Sequence, residues 1–75
     1  MATQQEIIGL ISEITGVSQE EIKMTDEFKS DLKMDSIAIV DLISSLEEDF
    51  DVIIEMEKAM TIKNVQQLID EINSN

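Results

Sequence analysis

The sequence predicts an all-α fold: a compact bundle of three to four helices with a long first loop and a short third helix. Three observations lead there. Apolar residues recur at three- and four-residue spacing in separate stretches, and no stretch sustains the period-two alternation of a half-buried strand. Two Ser/Thr-x-x-Glu segments have the form of capping boxes, which mark helix starts. The chain has no Pro, internal repeat or low-complexity tract, so no linker divides it, and residues 1–75 are expected to form one domain.

The elements follow in order. Thr3-Gln4-Gln5-Glu6 starts the first helix, Ile7, Leu10, Ile11 and Ile14 make its apolar stripe, and Gly16 is placed to end it. Ser18-Gln19-Glu20-Glu21 is the second capping box, with Val17 and Ile22 at the spacing of a hydrophobic staple, so a short helical turn is expected inside the first loop. That loop runs to about Met34, anchored by Phe28 and Leu32; loops this long generally pack on the core or carry function. A strongly amphipathic helix is expected from about Ile37 to Phe50, with Ser36 at its N-terminal end. The segment Glu55–Met60 is too short to hold a helix alone. The last helix begins near Asn64, with Val65, Leu68, Ile69 and Ile72 turned inward.

Composition removes several function classes. A chain of 75 residues buries only about 60% of its unfolded surface and has no room for a large substrate cleft. It lacks Cys and His, so it can build neither a thiol nucleophile, a Ser-His relay, nor a thiolate or imidazole metal site. An enzyme is therefore not expected. Gly9 and Gly16 are the only glycines, which leaves no Gly-rich phosphate loop, and the acids around Asp49 and Asp51 lack the spacing of a calcium-binding EF-hand loop. With no signal-peptide pattern and no apolar run approaching the ~20 residues of a membrane span, a cytoplasmic protein without a membrane span is expected.

The net charge of −12 is unevenly placed. Residues 1–34 hold seven acids and three lysines, residues 35–57 eight acids and no base, and residues 58–75 two of each. Such a field repels nucleic acid and attracts proteins with Lys/Arg-rich docking patches. A projection of the central helix at about 100° per residue puts Ile39, Ile43, Leu46 and Phe50 within a sector of about 60°, the natural core stripe. Ile37, Val40, Asp41, Ser44, Glu47 and Glu48 fall on another face, roughly 20° to 140° from Ser36. Apolar groups ringed by charge there form a candidate docking face, although each carboxylate alone is equally consistent with a solvated helix surface. Ser36 lies between the two faces, at a helix N-terminus, where free N–H groups and the dipole favour a phosphate. The plain alternative is that Ser36 only caps the helix.

The segment Asp31-Leu32-Lys33-Met34-Asp35-Ser36-Ile37 and the acidic helix after it resemble the acyl carrier proteins, whose hallmark is a D-S-L or D-S-M tripeptide opening an acidic second helix. The likeness continues through Leu46-Glu47-Glu48-Asp49-Phe50, Ile54, Ala59, Ile62 and Val65-Gln66 to Ile69-Asp70 and Ile72-Asn73. The resemblance implies an acyl-carrier-type bundle in which Ser36 bears phosphopantetheine and acyl groups ride on the arm as thioesters. It implies a separate Mg²⁺-dependent phosphopantetheinyl transferase, through which the Ser36 hydroxyl attacks the β-phosphate of coenzyme A. It also implies a docking face of Asp35, Ile37, Val40, Asp41, Glu47 and Glu48. Phe28, Ile39, Ile43, Leu46, Ile54, Ala59, Ile62 and Leu68 are then expected to line an acyl pocket, which Met56 and Met60 would make adaptable. The expected partners are that transferase and acyl-transferring, condensing and reducing enzymes with basic docking patches, served by a monomeric carrier.

Four of the five departures cluster around the serine. Lys33 and Met34 stand where Gly-Ala is common in fatty-acid carriers, Ile37 replaces Leu or Met, Ala38 a polar residue, and Glu55 a usual proline. They point toward a specialised lipid or polyketide pathway as readily as toward general fatty-acid synthesis. Peptidyl and D-alanyl carriers share the serine and the fold but usually have a less acidic docking helix. A further alternative is an acidic adaptor that binds a basic protein and carries nothing.

Overall fold

In the computed structural model, which describes residues 2–74, the chain forms a four-helix, all-α fold with three long helices and one short one. Helix α1 spans Gln4–Thr15, α2 Ser36–Phe50, α3 Met56–Ala59 and α4 Val65–Asn73, and a 3₁₀ turn at Gln19–Glu21 interrupts the first loop.

The helix starts are set by local chemistry. Thr3 forms the reciprocal capping box expected of it: its backbone N–H donates to Glu6 Oε1 at 2.9 Å, and the Glu6 N–H donates to Thr3 Oγ1 at 3.1 Å. Gly16 ends α1 in the left-handed region at φ 78° and donates its N–H to Ser12 O. Asn64 caps α4 by accepting the Gln67 N–H at 2.8 Å. The second expected capping box does not form. Ser18 makes no side-chain cap, because in a turn this tight the Glu21 N–H is already taken by the Ser18 carbonyl at 2.9 Å.

Every long helix turns an apolar stripe to one core. Ile7 and Ile11 from α1, Leu42 and Leu46 from α2, and Val65, Leu68 and Ile72 from α4 are the most completely buried side chains. Full burial of one such side chain contributes about 1.5–3 kcal/mol. No charged or polar residue is buried among them. The core of α2 is wider than the projected stripe. Leu42 is buried and belongs to it, whereas Ile39 and Phe50 are only half-buried at its margin.

The first loop is held in place by hydrogen bonds and is not slack chain. Glu27 pairs with Asn64 in a single antiparallel bridge, flanked by bonds from the Phe28 N–H to Lys63 O (3.0 Å), the Val65 N–H to Asp26 O (3.1 Å) and the Gln66 N–H to Met24 O (2.9 Å). The loop is thereby sewn to the start of α4. Phe28, Leu32 and Met34 are buried beneath it. Its last turn brings the Met34 N–H to Phe28 O at 2.8 Å and sends Lys33 into the left-handed region at φ 57°. These contacts fix where the chain enters α2, and hence where Ser36 stands.

Candidate functional site

The start of α2 is organised around Asp35. Its backbone is extended, and its carboxylate Oδ1 accepts the Ala38 N–H at 2.8 Å, so Asp35 is the N-cap. Ser36 is the next residue, the first of the helix. Its side chain is exposed, and Oγ has no hydrogen-bond partner among the described residues. The cap is thus supplied by the neighbour of the serine, and the hydroxyl is left open to solvent.

Beside Ser36 lies a cavity of about 310 Å³. Phe28, Ile39, Ala59 and Ile62 form its apolar lining, while Glu27, Lys29, Met60 and Lys63 stand with Ser36 around it. A small void of about 10 Å³ continues inward between Phe28, Ile39, Leu42, Ile43, Ala59, Ile62 and Leu68. Five of these residues are buried and the remaining two, Ile39 and Ile62, half-buried, so they form one apolar path from the serine toward the core. Of the residues expected to line an acyl pocket, Leu46 and Ile54 are buried in the core without lining either space. Met60 stands at the larger cavity and is mostly exposed; Met56 does not line it.

The outer face of α2 carries the groups that the projection placed together. Ile37 is 72% exposed and Val40 41%, unusual for apolar side chains in a chain with so small a core, and Asp41, Glu47 and Glu48 are exposed with them. After that helix, Ile53, Met56 and Met60 in the segment leading through α3 are also exposed, outside the docking face expected from the sequence. The signal was present as apolar residues in a segment too short to bury them. Asp49 is also exposed but lines a different groove, with Glu6, Gly9, Leu10 and Glu13 of α1.

The exposed acids of α2 form no ion pair with a lysine among the described residues. Among the described residues the one ion pair is Lys58 Nζ–Glu71 Oε1 at 3.6 Å, between α3 and α4. No group of three acidic side chains among them converges as a metal site would require. The acidity of α2 is a diffuse field.

The chain matches the sequence pattern of the family described as "Phosphopantetheine attachment site" over residues 5–72. Among solved structures it is similar to one described as "a putative acyl carrier protein" from Mycobacterium tuberculosis. The two are 27% identical and superpose with a TM-score of 0.85, over 96% of this chain and 97% of the other. The residues at the start of α2 fit the group that the family attaches: an exposed hydroxyl free of hydrogen bonds, a helix start whose cap is made elsewhere, and an apolar cavity alongside.

Proposed function

The chain belongs to the phosphopantetheine-attachment family of non-catalytic carrier proteins, and from that premise we propose that Ser36 bears the arm and that residues 1–75 serve as a single acyl carrier domain. The observation that carries the assignment of Ser36 is the division of labour at the start of α2. A serine spent on capping would have its oxygen committed to a backbone N–H. Here Asp35 accepts that bond, and Ser36 Oγ is left as an accessible nucleophile.

The partner that the family implies is a phosphopantetheinyl transferase. In its complex the Ser36 oxygen forms a bond to the β-phosphorus of coenzyme A, the bond from that phosphorus to the bridging oxygen breaks, and the nucleotide portion leaves. The serine proton passes to a base of the transferase, since this chain has no His and the adjacent Asp35 has its Oδ1 engaged as a cap. Once attached, the arm supplies the thiol that a Cys-free chain lacks and carries acyl groups as thioesters. The chain's own residues do the rest. Phe28, Ile39, Ala59 and Ile62 offer an apolar recess beside the serine that would exclude water from a short acyl chain. Ile37 and Val40 offer apolar contact to a docked enzyme, with Asp41, Glu47 and Glu48 steering the approach of its basic patch.

The eight acids and no base of residues 35–57 support an acyl carrier over a peptidyl or D-alanyl one, and an acyl-transferring, condensing or reducing enzyme as the recipient. We assign this work to the cytoplasm, to a monomer, and to fatty-acid, specialised lipid or polyketide synthesis. The test is intact-mass measurement after incubation with coenzyme A and a transferase. The wild type gains the mass of one arm and Ser36→Ala gains none; an arm on Ser36→Ala removes the assignment.

A further inference from the structure

Cations are scarce here, with five lysines against seventeen acids, yet two of the five, Lys29 and Lys63, stand at a cavity that borders Ser36. Neither has a carboxylate within ion-pair distance among the described residues, although the chain is rich in carboxylates. Their closeness is a product of the fold. Lys29 comes from the first loop and Lys63 from the connection before α4, and the Phe28 N–H to Lys63 O bond beside the Glu27–Asn64 bridge sews those segments together. Glu27, the acid at the same cavity, accepts from Ser30 Oγ at 2.7 Å.

A phosphodiester on Ser36 needs a counter-charge that the helix start cannot fully give. Asp35 already occupies the Ala38 N–H and places a carboxylate one residue away. A second anion there is repelled by Asp35 and by the acids that follow along α2. We infer that Lys29 and Lys63 clamp the phosphodiester joining the arm to Ser36, holding the root of the arm over the cavity. They act as positioning residues: the clamp turns the arm toward the apolar recess, and a partner's basic patch would compete for the same phosphate and release the arm outward. The inference rests on Ser36 as the attachment point.

The test compares the unmodified and arm-bearing proteins, prepared with coenzyme A and a transferase and verified by intact mass. Lysine side-chain NMR spectra are expected to show the Nζ resonances of Lys29 and Lys63 displaced when the arm is present, with that of Lys23, which does not line the cavity, unmoved. In the arm-bearing Lys29→Gln/Lys63→Gln protein the ³¹P resonance should move and the first methylenes of the arm should relax as a freer chain. Lys23→Gln, the single-charge control, should do neither. Both substituted lysines are exposed, so the fold is retained, and circular dichroism verifies it. An arm-bearing protein whose Lys29 and Lys63 Nζ resonances match those of the unmodified one, or whose ³¹P resonance ignores the double substitution, overturns the clamp and leaves Ser36 standing. Absence of any mass gain removes Ser36 and the clamp together.

Discussion

Asp35 Oδ1 accepts the Ala38 N–H at 2.8 Å, and this one bond caps α2 without the hydroxyl of Ser36. The aspartate holds the helix start while the serine beside it stays uncommitted. Replacing each in turn should therefore give opposite phenotypes. Asp35→Ala removes the cap and should lower stability by about 0.5–2 kcal/mol. Ser36→Ala leaves the cap in place and should change stability by less than about 0.5 kcal/mol, as for most exposed positions. Urea denaturation of both variants checks this, and equal losses would show that Ser36 contributes to the helix start after all.

Lys33 at φ 57° and Gly16 at φ 78° occupy the same left-handed region, one at a cost and the other freely. For a residue with a Cβ that region costs roughly 1–2 kcal/mol, against which glycine adds about 0.4–1 kcal/mol of unfolded-state entropy. Lys33→Gly should thus raise stability slightly, by up to about 1 kcal/mol, and Gly16→Ala should lower it by about 1 kcal/mol. No atom lies within 4 Å of a Cβ built at Gly16, so the loss there would be conformational and not steric. The denaturation midpoint of each variant, with an unchanged m-value, is the readout.

The capping box gives α1 a pH dependence of known sign. Hydrogen bonds from the Thr3 backbone N–H, and then from its side chain, hold the Glu6 carboxyl below its ordinary value of 4.5. A depressed folded-state value means that this contribution is fully present above pH of about 4.5 and is lost as the pH falls through the folded value. Glu6→Gln still offers an amide oxygen to Thr3 but does not titrate. The stability difference between wild type and Glu6→Gln should be flat above that pH and shift against the wild type below it. A difference that stays constant down to strong acid would contradict the assignment.

Much of this was legible in the sequence because it is local. A capping box spans four residues, and a C-terminal glycine or an amphipathic stripe announces itself within a few turns, so Thr3, Gly16 and the inward face of α4 could be read directly. The Ser18 box failed because its spacing is also that of a 3₁₀ turn, in which the backbone claims the N–H first. Leu42 was missed because α1 packs on α2 while Phe28, Ala59, Ile62 and Leu68 gather beside Leu42, which widens the buried face of α2 beyond a single stripe. The bridge from Glu27 to Asn64 joins residues far apart in sequence, and no local pattern records it. Phe28, Ile39, Ala59 and Ile62 beside Ser36 were expected through the family resemblance, whereas Lys29 and Lys63 reach the same cavity only through that long-range pairing and were hidden.

The two faces of α2 make a charge-controlled prediction. Glu47 and Glu48 lie with exposed Ile37 and Val40, whereas Asp49 lines the groove toward α1. Glu47→Lys and Glu48→Lys should slow association with the transferase more than Asp49→Lys does, with the gap narrowing as salt is raised. Stability should move little, since exposed charges are worth only about 0–1 kcal/mol. Stopped-flow rates at two ionic strengths provide the comparison, and equal slowing by Glu48→Lys and Asp49→Lys would reduce the docking face to bulk acidity.

The central claim is that one hydroxyl, at Ser36, receives the arm. Fragment mass spectrometry after reaction with coenzyme A and a transferase addresses it most directly, because Ser30, Ser44 and Ser45 flank the same region and serve as internal controls. A single addition is expected, retained on the fragment containing Ser36 and absent from those three serines. An addition found on any other serine, or no addition under conditions that load a known carrier, would contradict it.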